Sequence, residues 1–171
     1  MKRAESLRPG DLAVALCLAL RPGAGFEDLG GRLGIGVGGA HRAVGRLEKA
    51  QFLAKERREV LRENLHEFLI HGVRYVFYAE PSAETLGVPT AFTPGIDGAG
   101  RSYVWPSAKG SQRGQAISPL FPQAIELPES DPEIYAALSV IDSIRIGGIR
   151  ERREAGDWIR TWLLGRQETS K

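Results

Sequence analysis

Residues 26–53, FEDLGGRLGIGVGGAHRAVGRLEKAQFL, carry an apolar pattern that changes phase once, near its middle. The first apolar run predicts a helix over residues 26–33, and the Gly34-Ile35-Gly36 step then turns the chain. A second helix is predicted over residues 37–51, because at about 100° per residue its apolar side chains share one side. They are Ala40, Ala43, Val44, Leu47 and Ala50. Two helices joined by a tight turn are the pattern of a helix-turn-helix.

The opposite side of the second helix collects small and basic residues. They are Gly38, Arg42, Gly45 and Lys49, with His41 and Arg46 at the edges. Each glycine costs the helix about 1 kcal/mol relative to alanine, so the helix depends on its packed side. A basic face of small residues, directed away from its own domain, fits a DNA groove. We therefore predict that these six residues contact DNA.

Residues 33–53, LGIGVGGAHRAVGRLEKAQFL, resemble the turn and recognition helix of bacterial winged-helix-turn-helix transcriptional regulators of the MarR-like type. The resemblance covers about residues 12–53. It implies that the second helix enters the major groove, with His41, Arg42, Gly45 and Arg46 near DNA.

Residues 34–39 also match GxGxxG, the fingerprint of dinucleotide-binding folds. That fingerprint requires a buried strand leading into the glycine turn, so that pyrophosphate lies on the following helix N-terminus. The preceding FEDLGGRL has helical spacing instead, and no parallel strand follows at the usual distance. We therefore predict no nucleotide cofactor.

The segment HEFLIH, residues 66–71, resembles the zinc-protease motif HExxH but has one residue more between its histidines. Five residues place His71 about 140° round a helix from His66, so the two imidazoles cannot converge on one ion. His41 is the remaining histidine. No Ser-His-Asp grouping, Cys-His grouping or carboxylate pair stands at mechanistic spacing. We therefore predict neither a metal site nor catalytic residues, and no enzyme.

Composition indicates a globular protein with a proper core: 171 residues, of which 42% are hydrophobic, with a net charge of +2. The basic excess lies in residues 1–70, which hold 12 Lys and Arg against 9 Asp and Glu, while residues 71–171 hold 11 against 12. The single cysteine, Cys17, excludes an intramolecular disulfide and is expected to be a buried thiol in a cytoplasmic protein. No membrane span is predicted, since the longest apolar run covers only residues 12–20.

The chain is predicted to contain two parts, residues 1–59 and 60–171. The first adds a scaffold helix over residues 12–20 to the helix-turn-helix, which gives a winged-helix-like domain. Its wing should be short or absent, because residues 54–59, AKERRE, lack the Asn-Gly or Asp-Gly of a tight hairpin. Three basic residues there are candidates for phosphate contacts: Lys55, Arg57 and Arg58.

The second part is predicted to begin with a helix from Val60, followed by a strand over residues 73–78, where apolar residues alternate. Residues 81–132 hold eight of the ten prolines and should form an extended arm whose short apolar pieces dock. The arm is expected to cover the preceding helix-strand unit or a second subunit. Two C-terminal helices should follow, the last with Trp158 and Trp162 stacked at i and i+4. The fold class is therefore mainly α, within α+β.

These observations predict a sequence-specific DNA-binding transcriptional regulator that acts as a homodimer on double-stranded DNA. An alternative is a protein-interaction module, or an antitoxin-like protein that binds a toxin partner and retains the helix-turn-helix shape. Core packing and a subunit interface both remain open for the Trp158–Trp162 pair.

Overall fold

The computed structural model describes residues 5–56, 58–96 and 102–165. The chain divides into two compact units, Met1–Leu65 (unit 1) and His66–Lys171 (unit 2). Helices dominate and one small sheet accompanies them, so the mainly α class is confirmed. Within those described ranges, no helix is both long and apolar enough to cross a membrane.

Unit 1 contains three helices before residue 50: α1 (Asp11–Leu20), α2 (Phe26–Arg32) and α3 (Gly36–Lys49). Residues 12–19 of α1 are all apolar and buried, as expected for a helix that is apolar on every side. The turn between α2 and α3 depends on left-handed backbone, with φ of +64° at Gly34 and +70° at Gly36. Glycine adopts this conformation without strain, so this step of the sequence fixes the turn.

A short hairpin follows α3. Leu53 and Val60 form an antiparallel bridge, and the Ala54 amide donates to the Glu59 carbonyl at 2.7 Å. The chain then enters α4 (Arg62–His71), where a helix was expected. The Arg62 guanidinium donates to the carbonyl oxygen of Ala19 at the end of α1, at 2.6 Å. The hairpin is therefore very short, with one bridge between Leu53 and Val60.

The predicted strand over residues 73–78 is wrong. The Gly72 amide donates to Phe68 at 2.8 Å and the chain continues into a helical turn, α5 (Val73–Val76). The alternation of apolar residues over 73–78 does not mark a buried strand, because the Tyr75 and Tyr78 side chains are 71% and 68% exposed. Only Val73 of this helical turn is buried.

The predicted extended arm is also wrong, because much of it pairs as a sheet. Strand β1 (Glu84–Thr90) runs antiparallel to both β2 (Tyr103–Pro106) and β3 (Gln112–Ala116), and β2 and β3 pair in parallel over two residues, so the three strands close on one another. A Cβ atom at Gly87 would meet the Trp105 carbonyl oxygen. The glycines of this segment therefore permit the close strand packing.

The apolar pieces of the segment dock as predicted. Val104, Trp105 and Ile117 are at most 2% exposed, and Leu120 and Phe121 are buried. A 3-10 turn (Pro122–Glu126) and α6 (Leu127–Ser130) then lead to the C-terminal helices. Docking takes place within unit 2 itself: the Tyr135 hydroxyl donates to the Pro89 carbonyl of β1 at 2.6 Å.

The C-terminal helices begin and break where the sequence predicts. The Asp131 side chain caps α7 (Pro132–Ile146) by accepting from the Ile134 amide, and Gly147 and Gly148 separate α7 from α8 (Ile149–Leu164). The Trp158 and Trp162 rings stack with centroids 6.0 Å apart. Core packing applies to Trp162, which is 8% exposed, while Trp158 is half-buried.

A buried carboxylate joins the sheet of unit 2 to α7. Asp142 is 0% exposed and accepts hydrogen bonds from the Thr90 hydroxyl at 2.7 Å and the Trp105 indole at 2.7 Å, while Arg145 pairs with it at 2.6 Å. Burial raises the pKa of Asp142, and Arg145 and the two neutral donors act in the opposite direction. Arg145 also donates to the Phe77 carbonyl at 2.7 Å, which holds the residues after α5.

Candidate nucleic-acid interface

The candidate interface is the exposed side of α3. Gly38, His41, Arg42 and Lys49 are exposed and Gly45 is half-buried, which is the arrangement that helical spacing predicts. Apolar residues occupy the other side, where Ala40 and Leu47 are 0% exposed. The line of residues from Gly38 through Arg42 and Gly45 to Lys49 contains no carboxylate. This line, with His41 beside it, is called the α3 face below.

The prediction that Arg46 lies on the exposed side is wrong. Arg46 is 6% exposed, and its guanidinium donates to both carboxylate oxygens of Asp11, with Nε–Oδ2 at 2.8 Å and Nη2–Oδ1 at 2.7 Å. This bidentate hydrogen bond raises the pKa of Arg46 further. A side chain buried in this way cannot reach into a DNA groove, so Arg46 does not belong to the contact residues.

Arg46 instead fixes the position of α3 on α1. Asp11 stands in the first turn of α1 and also accepts from the Arg8 amide at 2.8 Å, so both of its oxygens are hydrogen-bonded. Arg46 lies on the helical turn that follows Arg42. The buried pair therefore sets the orientation in which α3 presents Arg42 to solvent.

The glycines of α3 leave unequal space around the backbone. A Cβ atom at Gly45 would meet nothing within 4 Å, and one at Gly38 would lie 3.3 Å from the Arg42 guanidinium. At Gly39 the added atom would lie 3.2 Å from the Ile35 Cβ, so this glycine serves packing within unit 1. Gly38 and Gly45 therefore form a shallow part of the α3 face, with the basic side chains between and beside them.

Phe26 is a part of the site that sequence reasoning missed. Its ring lies 5.1 Å from the His41 ring, and the Arg58 guanidinium stands 4.8 Å from the Phe26 ring centre. Arg58 also donates to the Ala24 carbonyl at 2.9 Å. Phe26 is half-buried, and these two contacts show that its ring links α3 to the hairpin.

The basic residues of the hairpin differ in their placement. Lys55 is exposed, as a phosphate contact would require, and Arg58 is half-buried against Phe26. Arg57 lies outside the described residues. The three predicted positions therefore contribute one exposed cation, Lys55, and one anchored cation, Arg58, within the part of the hairpin that the structure describes.

The chain was compared with protein-family models, curated proteins and solved structures. No family model, curated protein or solved structure matches the chain. The residues before the glycines of the GxGxxG match form α2, whereas the fingerprint requires a strand there. Gly34 and Gly36 serve the turn between α2 and α3.

The chemistry available at the α3 face is binding chemistry. Arg42 and Lys49 supply cationic N–H donors, and His41 supplies a ring N–H. Such a surface attracts an anion with closely spaced negative charges.

Proposed function

We propose that this chain is a sequence-specific DNA-binding transcriptional regulator in which α2 and α3 form a helix-turn-helix. The observation that carries the proposal is the α3 face, in which exposed Arg42, His41 and Lys49 surround Gly38 and Gly45 on a 14-residue helix. The short hairpin between Leu53 and Val60 takes the place of a small wing beside this helix.

In the proposed complex, α3 lies in the major groove, which is about 12 Å wide and admits one helix. Arg42 stands near the middle of the face and is the candidate for base recognition, because its guanidinium can donate two parallel bonds to guanine. His41, Lys49 and Lys55 contact phosphates, which position the protein without reading sequence. Gly38 and Gly45 let the helix backbone approach the DNA.

A homodimer is part of the proposal. One 14-residue helix reads a short half-site, and regulators of this type read two half-sites about one helical turn apart through a symmetric pair of recognition helices. Light scattering tests the point: we expect twice the mass of 18.7 kDa at micromolar concentration. The dimer is contradicted if the free protein has a mass of 18.7 kDa at that concentration and the complex with operator DNA contains one chain.

The contact residue is tested by Arg42→Ala, with Arg113→Ala as the matched control. Both residues are exposed and each substitution removes one positive charge, but Arg113 lies on β3 in unit 2. Fluorescence anisotropy should follow binding to DNA from upstream of the protein's own gene and to an unrelated duplex. We expect Arg42→Ala to weaken specific binding by about 1 to 3 kcal/mol, or about 5- to 150-fold.

The control should change affinity by less than about threefold, because a distant surface charge contributes only a general electrostatic attraction. Two results contradict the proposal: equal binding of the specific and unrelated duplexes, or unchanged specific affinity in Arg42→Ala. Circular dichroism of both variants confirms that each remains folded.

A further inference from the structure

Unit 2 contains a small cleft lined by three arginines, one on α5 and two on α8. The cleft has a volume of about 240 Å³ and lies between the end of α4, the helical turn α5 and the first half of α8. Its polar lining consists of His71, Arg74, Tyr75, Arg152 and Arg153. No Asp or Glu lines it, and it is called the arginine cleft below.

The three guanidinium groups of the arginine cleft have no acidic partner among the residues that the structure describes. None of the ion pairs in those residues includes Arg74, Arg152 or Arg153. Arg152 donates one hydrogen bond, to the Gly147 carbonyl at 3.1 Å. Arg74 stands 5.2 Å from the ring centre of Tyr75.

Neighbouring arginines of the same unit behave differently. Arg145 pairs with Asp142 at 2.6 Å, and Arg150, also on α8, pairs with Glu154 at 2.8 Å. Unit 2 thus supplies a carboxylate to Arg145 and to Arg150, and none of its described ion pairs includes an arginine of the cleft. Like charges held together repel, and an anion bound between them removes the repulsion.

We propose that the arginine cleft binds a phosphate group. The planar guanidinium fork matches phosphate oxygens in pairs, which makes arginine the usual residue for this anion. A volume of about 240 Å³ lies below the roughly 300–1,000 Å³ of pockets that enclose a drug-sized ligand, so the cleft has room for a phosphate or pyrophosphate group and not for a whole cofactor. The exposed Tyr75 ring at the rim provides a surface on which a base or sugar can lie.

Two sources supply this chemistry: a free phosphorylated small molecule, or the phosphate backbone of DNA. The site is independent of the α3 face, because every residue that lines it belongs to unit 2. Failure of the Arg42→Ala test therefore leaves this proposal standing, and failure here leaves that one standing.

The test uses the full chain with pyrophosphate and, separately, double-stranded DNA as probes. Arg74→Gln and Arg153→Gln each remove one charge from the cleft, while Arg160→Gln removes an exposed charge from the same helix α8, outside the cleft. Arg152 is left intact because it bonds to Gly147. Calorimetry with pyrophosphate at constant ionic strength, adjusted with chloride, measures the first arm.

If the ligand is a free phosphorylated molecule, pyrophosphate should bind the parent chain. Its affinity should fall about tenfold in each cleft variant and stay unchanged in Arg160→Gln. A DNA source predicts instead that the slope of log affinity against log salt falls by about 1 in each cleft variant and not in Arg160→Gln. The proposal is overturned when neither pyrophosphate binding nor the salt slope for DNA distinguishes the cleft variants from Arg160→Gln. Thermal unfolding of all three variants checks that unit 2 remains folded.

Discussion

Replacing Arg46 by alanine should destabilise unit 1, because the substitution leaves a buried carboxylate without its partner. Asp11 is 2% exposed and takes both of its charged hydrogen bonds from Arg46. In the variant, the Arg8 amide would be the remaining donor that the structure provides to Asp11. The cost arises from the carboxylate that stays behind, more than from the loss of the arginine itself.

Removing one member of a buried ion pair costs about 3–5 kcal/mol, whereas an exposed substitution usually changes stability by no more than about 0.5 kcal/mol. Arg42→Ala is therefore the matched control: it removes the same side chain four residues earlier on α3, from an exposed position. Arg46→Lys retains a positive charge but loses the two-point geometry, and it should cost less than Arg46→Ala. Arg46→Ala combined with Asp11→Ala should recover part of the loss, since no charge is then left unpaired.

Urea unfolding measures these differences, and the sequence offers a useful separation of signals. All three tryptophans lie in residues 66–171, so tryptophan fluorescence reports on unit 2 while circular dichroism reports on the helices of both units. We expect Arg46→Ala to lower the midpoint of the circular dichroism transition for unit 1 well below that of Arg42→Ala. Equal midpoints for Arg46→Ala and Arg42→Ala would refute the structural role assigned to the Arg46–Asp11 pair.

Three further predictions follow from other positions. Gly45→Ala should stabilise unit 1 by about 0.5–1 kcal/mol, because alanine favours a helix over glycine and a Cβ atom there meets nothing within 4 Å. Urea unfolding measures the gain, and a loss of stability would contradict the open space at this position. Trp105→Phe should cost unit 2 about 1.5–3 kcal/mol, the value of a hydrogen bond to a charged group, and an unchanged unfolding midpoint would exclude the Trp105–Asp142 bond. Burial raises the pKa of Tyr135, so its stabilising effect is complete below the unfolded value of about 10 and is lost as pH rises through the folded value. An absorbance titration at alkaline pH should contain a late step that Tyr135→Phe removes, and early ionisation of every tyrosine speaks against it.

Helical periodicity predicted the elements of unit 1 because their signals are local. The Gly34-Ile35-Gly36 turn and the apolar side of α3 lie within one short stretch. Periodicity did not separate Arg42 from Arg46, since both stand on the polar half of α3. What separates them is Asp11, 35 residues earlier in the chain, and no spacing rule connects the two positions.

The errors in unit 2 have the same physical origin. Residues 73–78 alternate for too few positions to define a strand, and the hydrogen bond from Gly72 to Phe68 draws them into a helical turn instead. In the sheet, Gly87 pairs with Gln112 on one side and with Pro106 on the other. Because proline and glycine are disfavoured inside strands, residue propensities did not predict this pairing. Asp131, by contrast, caps α7 through a residue three positions away, and that contact was predictable.

The Asp142 carboxylate has a consequence for hydrogen exchange in unit 2. Its donors Thr90 and Trp105 precede it by 52 and 37 residues and belong to β1 and β2. Opening either strand would leave the Asp142 carboxylate buried with one hydrogen-bond donor missing. Partial opening of the sheet is therefore unfavourable. The amide hydrogens of β1, β2 and α7 should therefore exchange through one shared opening with a common free energy. Those of α5, whose Tyr75 and Val76 are exposed, should exchange through smaller local fluctuations long before that opening occurs.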